Sequence, residues 1–469
     1  MAVTRAWILV VCLGAVGCGI TDTTPQTRLA IEQLVAAAPA ADVSEDVWQD
    51  VRHFYRARMH EPAWVGDGAS TKATEALTLL RRASEHGLTP ADYNEDVLTR
   101  TFNDSESAKK RSREDAVQAN ARFDVDLTAA LLALGRDVAV GRTQPDAIDP
   151  RWTARRTPPD LMAALSQAHA SGLAAWLDSI RPTHPEYAAL QKVLAGSAAA
   201  DQQLVALNME RWRWMPDDLG ARHLLVNIPA FHMAAREDGR AVLDMRVVVG
   251  KTDHQTPIFS GSMSTIVFSP YWNVPDSIAE DETAPAAARD PDYLARNNID
   301  ILRVSKSEAV VVDPSKIDWD NPEEMKTLSF RQRPGADNAL GHVKFLFPNK
   351  YDVYLHDTPA DALFARPGRA FSHGCVRLEQ PEELAKYVLR DRAEWDDEQI
   401  QAAMLAGTEK HVALKDKIPV HIVYFTVWPN GTGGVDSWPD IYGYDVKQAH
   451  NPTVSARRDR PGKVGMPAS

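Results

Sequence analysis

One stretch of this chain, Ser372-His373-Gly374-Cys375-Val376-Arg377, carries the thiol that remains available for chemistry. The other two of the three cysteines, Cys12 and Cys18, lie in an N-terminal segment that is typical of an export signal. An exported chain with a single free cysteine cannot build an internal disulfide framework. The glycine and histidine beside Cys375 favour a nucleophile, which needs close backbone approach and a nearby proton acceptor.

Histidines near Cys375 can supply a base, because a free cysteine with a pKa of ~8.5 is mostly protonated at neutral pH. His356 follows a predicted strand, and the chain between it and Cys375 can loop back to bring the imidazole to the sulfur. His373 is tied by sequence to the turn and has little freedom to swing its ring onto the sulfur. We therefore predict that His356 is the general base and that His373 shapes the turn and contacts substrate. His342 is expected to be a surface or strand histidine.

Gly374 and Arg377 add two further functions to this stretch. The missing side chain at Gly374 lets the backbone approach a bound carbonyl, so the N–H groups of Gly374 and Cys375 are candidates for an oxyanion hole. The Arg377 guanidinium can hold a substrate carboxylate in a bidentate pair.

Two other interpretations of these residues stay open from the residues alone. A lone cysteine in a globular domain is often a small, buried and unreactive residue. His356, His373 and Cys375 could instead bind zinc, although no fourth ligand stands out and a His-x-Cys spacing is unusual for a structural site. We expect no metal.

The pattern of the chain changes on the way to this stretch. Apolar residues recur at helical spacing from Val47 to Met209. From His223 onward the pattern is that of short strands, interrupted between Asp276 and Ala339 by a segment rich in Ala, Pro, Asp and Asn. The sequence therefore predicts an α+β protein with a helical first half, a β-rich second half and an insertion.

The stretch around Cys375, with an upstream histidine, resembles the active-site signature of the L,D-transpeptidases, which cross-link peptidoglycan. Further segments resemble the large, scaffold-bearing YcbB-type branch of that family: Asn208–Trp214, Val226–Phe231, Met245–Lys251, Pro270–Pro275, Asn338–Gly341, Lys344–Phe345 and Tyr354–Pro359. The resemblance runs from about Val47 to Tyr444.

This resemblance implies a cysteine-dependent acyltransferase that needs no metal and no organic cofactor. Cys375 would be the nucleophile, His356 the proton acceptor and donor, and Gly374 part of the oxyanion hole. The residues implied to bind substrate are Ser372, His373, Arg377, Tyr354 and Asn338. The partners would be peptidoglycan stem peptides, a tetrapeptide donor and a diamino-acid acceptor joined in a 3→3 cross-link, and the enzyme would be sensitive to carbapenem-type β-lactams.

Two rival functions stay open. Water instead of an amine could resolve the thioester, which would make the protein a cysteine L,D-carboxypeptidase or hydrolase of stem peptides. The chain could also be a non-catalytic wall-tethering lipoprotein, although the intact motif at Ser372–Arg377 weighs against this.

The predicted organisation is a lipoprotein-type signal peptide at 1–17, a tether at 18–43, an α-helical scaffold domain at 44–207, a β-rich L,D-transpeptidase catalytic domain at 208–430 with a capping insertion at 277–337, a C-terminal hairpin at 431–444 and a disordered tail at 445–469. Members of the branch commonly carry a small wall-binding module in the scaffold. Tyr187 and Leu207 stand closer together than the ~40 residues that a module needs to fold unaided. We therefore predict that the module is absent.

The N-terminal end predicts the location of the protein. The apolar run from Ala6 to Ile20 is short for a membrane span of ~20 residues and suits a secretory signal. Ala15-Val16-Gly17-Cys18 resembles a lipoprotein cleavage site at which Cys18 is acylated, with ordinary signal cleavage as the alternative. We expect a periplasmic, outer-membrane lipoprotein. The net charge of −12 argues against binding nucleic acid, whose phosphates attract Lys and Arg.

Overall fold

The computed structural model describes residues 24–40, 43–66, 69–107, 112–196, 199–305 and 308–451. The predicted signal peptide, Cys18 and residues 452–469 of the predicted tail lie outside this range. The chain divides into two compact units, one from residues 1–83, 89–135 and 160–179 and one from residues 84–88, 136–159 and 180–469. Among the described helices, none combines the length and the apolar character needed to cross a membrane.

The first unit is helical. Its helices are α1 Thr24–Ala36, α2 Glu45–Ala57, α3 Ala69–Arg81, α4 Glu95–Ser107, α5 Arg113–Val140, α6 Leu161–Ser171 and α7 Trp176–Ile180. Helices α5 and α7 end a few residues beyond the limits of the unit. Short 3-10 turns occur at Arg82–His86, Pro90–Tyr93 and Pro145–Ala147 of the chain. This architecture agrees with the predicted helical first half.

A buried carboxylate holds the first unit together. Asp124 on α5 accepts hydrogen bonds from the backbone N–H groups of Ala63, Trp64 and Val65 at 2.9, 2.6 and 3.0 Å. The Tyr55 hydroxyl donates to the same carboxylate at 2.6 Å. Because a buried polar group without a partner costs ~1–3 kcal/mol, these bonds fix the segment after α2 against α5.

Helix α1 lies in the segment that the sequence predicted to be a tether. Its Ile31 and Val35 are buried, and Trp48 and Arg52 of α2 donate side-chain hydrogen bonds to the backbone carbonyls of Ala37 and Val35. The prediction of a tether over 18–43 is therefore wrong for Thr24–Ala36, which form α1. The Thr, Gln and Pro content suggested a linker, whereas the helical spacing of the apolar residues decides the structure.

The second unit contains the sheets. Its strands are β1 Arg222–Asn227, β2 His232–Glu237, β3 Arg240–Gly250, β4 Ser260–Phe268, β5 Trp272–Asn273, β6 Ile299–Ser305, β7 Glu308–Val312, β8 Leu328–Gln332, β9 Val343–Leu346, β10 Leu355–His356, β11 Ala370–Ser372, β12 Val376–Leu378, β13 Lys410–Val423, β14 Val427–Pro429 and β15 Val435–Ser437. Its helices are α8 Pro185–Gly196, α9 Ala199–Trp212, α10 Asp276–Ile278, α11 Ala284–Arg289, α12 Tyr293–Arg296, α13 Pro322–Met325, α14 Pro381–Leu389, α15 Asp397–Leu405 and α16 Tyr444–Ala449, with a π-helical segment at Ala279–Thr283 and 3-10 turns at Pro314–Lys316 and Asp361–Ala365.

The largest sheet of the described residues has the strand order β11-β3-β12-β10-β9-β4-β13-β1-β2, and β2 pairs again with β3. This last pairing closes the sheet into a barrel, which leaves few free strand edges. Its interior is filled by buried side chains that include Leu224, Val226, Val247, Met263, Ile266, Phe345, Leu355, Val376 and Val420. The α+β fold class is confirmed.

The insertion forms a compact subdomain of its own. Strands β5-β8-β6-β7 make a four-stranded sheet. Buried side chains from its helices and strands form a separate core, among them Val274, Ala279, Ala284, Ala287, Leu294, Ile301 and Phe330. The predicted bounds 277–337 are close, but the sheet already starts at β5, so the subdomain begins earlier than predicted.

Three other boundaries differ from the sequence prediction. Helix α9 continues to Trp212, so the predicted border between 207 and 208 falls inside a helix. The predicted hairpin at 431–444 is present, but its strands are β14 and β15, which flank the Asn430-Gly431 turn. Helix α16 occupies the start of the predicted disordered tail and buries Gln448. The tail prediction is therefore wrong for residues 445–449.

The chain between Tyr187 and Leu207 is taken up by α8 and α9. Residues 197–198 are all that separates the two helices. This part of the chain therefore forms two helices of the second unit.

Candidate active site

The site is built on the outer face of the barrel, where β10 and β12 lie side by side. These strands pair in parallel, with Leu355 opposite Val376 and His356 opposite Arg377. Leu355 and Val376 are fully buried in the core. Because successive side chains of a strand point to opposite faces, His356 and Arg377 share the face away from that core.

The next pair along these strands brings the thiol to the same face. The Val376 N–H donates to the Tyr354 carbonyl at 3.2 Å, which places Tyr354 beside Cys375. Tyr354 is two residues before His356, and Cys375 is two before Arg377, so all four side chains lie on one face. The rings of Tyr354 and His356 are 5.6 Å apart between centroids. The fold therefore gathers the predicted nucleophile, base and carboxylate ligand.

A lysine from β9 extends this row. Lys344 pairs with His356 across the antiparallel β9–β10 ladder, so His356 lies between the cations Lys344 and Arg377. The Lys344 ammonium donates to the Tyr271 carbonyl at 3.2 Å and lies 6.0 Å from the centroid of the Tyr354 ring. Burial lowers the pKa of Lys344. The row gives this face a positive potential.

The thiol of Cys375 is held protonated in this structure. Burial raises the pKa of Cys375 to about 11, although the backbone N–H and the hydroxyl of Tyr354 and the charge of Arg377 act in the opposite direction. The sulfur donates a weak hydrogen bond to the Asp352 carbonyl at 3.8 Å. A nearby base is therefore needed before this thiol can attack, because the thiolate is the nucleophile.

His356 has the tautomer that a general base requires. Its Nδ1 lies 2.6 Å from the Asp357 carbonyl, which can only accept, so Nδ1 carries the proton and Nε2 keeps its lone pair. Burial and the charges of Arg377 and Lys344 lower the pKa of His356 to about 3, so the ring is neutral at neutral pH. No hydrogen bond joins His356 to Cys375 among the described residues, and such contacts often tighten only when substrate binds.

The turn that carries Cys375 is fixed from within. The Ser372 hydroxyl donates to the Cys375 carbonyl at 2.5 Å and accepts the Gly374 N–H at 3.1 Å. The buried Thr256 hydroxyl donates to the Gly374 carbonyl at 2.8 Å. Gly374 has a φ of +120°, a conformation that favours glycine. The Gly374 N–H, which we predicted for the oxyanion hole, is therefore already bonded in this structure.

The insertion reaches this turn through one side chain. Glu282, in the π-helical segment Ala279–Thr283, places Oε1 3.0 Å from His373 Nε2. On its other side the His373 ring lies 4.9 Å from the His254 ring in an edge-to-face arrangement. His373 is thus oriented by a carboxylate of the insertion, which places Glu282 beside the Cys375 turn.

Arg377 has the environment of a carboxylate ligand. No carboxylate pairs with it among the described residues, and its buried Nε has no hydrogen-bond partner there. Burial lowers its pKa, and the neighbouring Cys375 raises it. Arg377 is partly buried, and a cation removed from water without a counter-ion is unfavourable, so an anionic substrate group would complete this site.

Two predicted substrate residues have structural roles instead. The Asn338 amide donates to the carbonyls of Pro270 and Arg333 at 3.1 and 2.9 Å, and its oxygen accepts from the Leu340 N–H at 2.8 Å. Asn338 is buried with all these bonds made, so it holds the loop and does not face substrate. The Ser372 hydroxyl is likewise occupied within the turn.

His342 lies just before β9, is partly buried and is not part of the row. The His342 ring is hydrogen-bonded through Nδ1 to the Met404 carbonyl at 3.1 Å, and the backbone N–H of His342 donates to the Asp357 carboxylate at 2.7 Å. It therefore supports the segment that also holds His356. No group of three or more His, Cys, Asp and Glu side chains with an arrangement suited to a metal ion is found in the described part of the chain.

Two neighbours of the site were not predicted from the sequence: Lys344, which lies beside His356, and Glu282, which contacts His373. The signal for Lys344 is its alternation with the buried Val343 and Phe345 in β9, which places it on the outer face. Glu282 has no such signal, because the contact joins parts of the chain that are distant in sequence.

Two family profiles match the chain. One, described as a scaffold domain, covers residues 49–194, and the other, described as an L,D-transpeptidase catalytic domain, covers residues 221–422. A protein from Haemophilus influenzae, provisionally named an L,D-transpeptidase, is 35% identical over 243 residues, which are 52% of this chain and 48% of the relative. The chain thus spans about half the length of this curated relative.

Two solved structures are also similar. An L,D-transpeptidase from Mycobacterium smegmatis shares 13% identity over 43% of this chain and 58% of its own, with a TM-score of 0.22. L,D-transpeptidase 1 from Mycobacterium tuberculosis shares 14% identity over 43% of this chain and 61% of its own, with a TM-score of 0.19. TM-scores this low leave the function to be argued from the chain's own residues.

Proposed function

We propose that this chain is a peptidoglycan L,D-transpeptidase that forms 3→3 cross-links through a Cys375 thioester. The match of residues 49–194 to a scaffold domain and of residues 221–422 to an L,D-transpeptidase catalytic domain supports this proposal. The observation that carries the proposal is the shared outer face of β10 and β12. It presents a thiol, a neutral imidazole and an unpaired guanidinium together. Acyl transfer from a carboxylate-bearing peptide needs these three groups.

In the first half-reaction Cys375 Sγ attacks the carbonyl carbon that follows the diamino acid of a donor tetrapeptide stem. The S–C bond forms, and the C–N bond to the terminal D-Ala breaks. His356 Nε2 takes the thiol proton and delivers it to the leaving amine nitrogen. The Tyr354 hydroxyl, which faces the sulfur, is placed to donate to the oxyanion that develops on the carbonyl oxygen.

In the second half-reaction the amine of an acceptor stem attacks the thioester carbonyl carbon. The new C–N bond forms, the C–S bond breaks, and the sulfur regains a proton. Arg377 binds a carboxylate of the stem peptide, since a bidentate guanidinium contact would replace the counter-ion that it lacks. The thioester chemistry also underlies the expected acylation by carbapenem-type β-lactams.

For its location we propose a periplasmic protein held at the outer membrane by a lipid on Cys18, which lies outside the described residues. The support is the sequence Ala15-Val16-Gly17-Cys18. Cell fractionation tests this, because Cys18→Ala should move the protein from the membrane to the soluble periplasmic fraction. A wild-type protein that is soluble without detergent would favour ordinary cleavage.

The function is tested by incubating the purified protein with a disaccharide-tetrapeptide and reading the products by mass spectrometry. We expect a cross-linked dimer with loss of D-Ala, and no dimer from Cys375→Ser. A trimmed tripeptide stem as the sole Cys375-dependent product would identify a hydrolase. No reaction of any kind with a folded wild-type protein would favour the non-catalytic alternative.

A further inference from the structure

Glu282 is positioned by an irregularity in the helix of the insertion. The helical stretch from α10 to α11 contains the π-helical segment Ala279–Thr283, and such segments often occur at functional sites. Ala279 and Thr283 at its ends are buried against the insertion. Glu282 faces away from them toward the Cys375 turn, with Oε1 3.0 Å from His373 Nε2.

The contact gives His373 a defined proton-accepting atom. A neutral imidazole donates from Nε2 to the Glu282 carboxylate and leaves the lone pair on Nδ1. The pKa of His373 is lowered, chiefly by burial. Of the charged groups around the ring, Glu282 raises this pKa, whereas Lys251 and His254 lower it. The side chain of Glu282 is 55% exposed, so a ligand can reach its carboxylate.

The charges divide the site into two halves. Lys344 and Arg377 make the strand face positive, which suits the carboxylates of a donor stem. Glu282 makes the side of the insertion negative. The acceptor must arrive as an ammonium, because alkyl amines with a pKa near ~10 are protonated at neutral pH.

We propose that Glu282 and His373 form the acceptor subsite, in which Glu282 attracts the acceptor ammonium to the insertion side of the site and holds His373 through Nε2, and His373 Nδ1 accepts the ammonium proton as the amine moves from Glu282 to the thioester. This inference rests on the proposed transpeptidase function and adds the basis for choosing an amine over water. It adds a proton-accepting role to the shaping of the turn and the contact with substrate that were first predicted for His373.

The proton balance of the second half-reaction gives such a group a function. The ammonium carries one proton more than a nucleophilic amine, and that proton passes to His373 Nδ1 and then to solvent. The free amine attacks the thioester carbonyl carbon, the C–N bond forms and the C–S bond breaks. A second proton leaves the nitrogen and returns to the sulfur through His356, which regenerates the thiol.

The test is a competition between two nucleophiles for one acyl-enzyme. The full chain is acylated with a tetrapeptide stem in the presence of an acceptor stem amine, which is cationic, and hydroxylamine, which is uncharged at neutral pH. Mass spectrometry then gives the ratio of amide to hydroxamate product. This ratio is set after the thioester has formed, so it does not depend on the acylation rate.

In Glu282→Gln we expect the amide-to-hydroxamate ratio to fall by about tenfold or more, since one charge-assisted contact to the ammonium is lost. Glu280→Gln is the matched control, because it removes the same charge from the same π-helical segment at an exposed position. An unchanged ratio in Glu282→Gln, or an equal fall in Glu280→Gln, would overturn the subsite.

Two further outcomes separate this inference from the proposed function. A wild-type acyl-enzyme that reacts with hydroxylamine and water but never with the acceptor amine would overturn the subsite and leave the Cys375 thioester standing. A wild-type protein in which no acyl-enzyme forms would overturn the proposed function and the subsite with it.

Discussion

At the scale of single residues, the site combines an unusually weak base with an unusually weak acid. The pKa of His356 is lowered to about 3 and that of the Cys375 thiol is raised to about 11. The pair is therefore neutral before substrate binds, unlike cysteine sites whose thiolate is formed in advance. Attack requires proton transfer from sulfur to His356 at the time of reaction, and this makes the imidazole essential.

The two histidines should respond differently to substitution and pH. We predict that His356→Ala loses ~10²–10⁴-fold in the rate of acylation by a carbapenem at neutral pH. Its rate should partly recover as the pH approaches 11, because the thiolate then forms without a base. His373→Ala should impair turnover without this recovery. Stopped-flow measurement of acylation from pH 6 to 11, in steps of about one unit, follows both variants.

The assignment would be contradicted if the two variants exchanged their pH responses. Recovery at high pH in His373→Ala but not in His356→Ala would mean that His373 is the base for the thiol. The wild type is the reference, and its activity should persist to low pH, because a lowered pKa keeps His356 neutral there.

Much of the candidate site could be predicted at this scale. Cys375, its turn and Arg377 are adjacent in sequence, and His356 ends a recognisable strand. The roles of Asn338 and Ser372 could not be predicted, because each depends on which backbone groups the fold brings within hydrogen-bonding distance.

At the scale of elements, His356 depends on the loop that precedes β9. The Asp357 carbonyl holds His356 Nδ1, and the Asp357 carboxylate accepts from the N–H groups of His342 and Thr358, both at 2.7 Å. Gly341 packs directly on this carboxylate, since a Cβ at that position would lie 2.3 Å from Asp357 Cγ. The loop, the carboxylate and the base therefore form one packed unit.

Substitution of Gly341 should disturb His356 indirectly, through Asp357. Gly341 has a φ of +59°, so Gly341→Ala adds backbone strain of about 1–2 kcal/mol and a clash with Asp357. We predict a fall of about 10²-fold in acylation rate, the size expected for a shift of ~1 Å in a catalytic group. Carbapenem acylation kinetics and the free energy of unfolding in urea give the two readouts.

Gly407→Ala is the matched control. Gly407 has a similar φ of +64°, but a Cβ there would meet nothing within 4 Å. This variant should show the backbone strain alone, with little effect on acylation. Equal acylation rates in the two variants would contradict the proposed link from Gly341 through Asp357 to His356.

Elements with a repeating pattern were the predictable ones. Strand β9 alternates buried and partly buried residues, and the Asn430-Gly431 turn marks the hairpin of β14 and β15. Helix α1 was missed because its polar composition concealed a short apolar repeat. The sequence predicts a strand over Tyr351–Leu355, but β10 begins only at Leu355, because Asp352 adopts a φ of +54°.

At the scale of the whole molecule, the second unit joins a closed barrel to an insertion with a separate core. The barrel presents Cys375, His356 and the cations Lys344 and Arg377 on its outer face, and the insertion supplies Glu282. The sequence predicted both the β-rich domain and the insertion. It could not predict the contact between them, because no local pattern specifies which side chain of the insertion faces the Cys375 turn.

The central claim is that Cys375 is the residue that becomes acylated. Intact-protein mass spectrometry after incubation with a carbapenem tests it most directly, with His342→Gln as a control for substitution of a nearby supporting residue. We predict one adduct on the wild-type protein and none on Cys375→Ser. An adduct that persists on Cys375→Ser, or a folded wild-type protein that never gains one, would contradict the account.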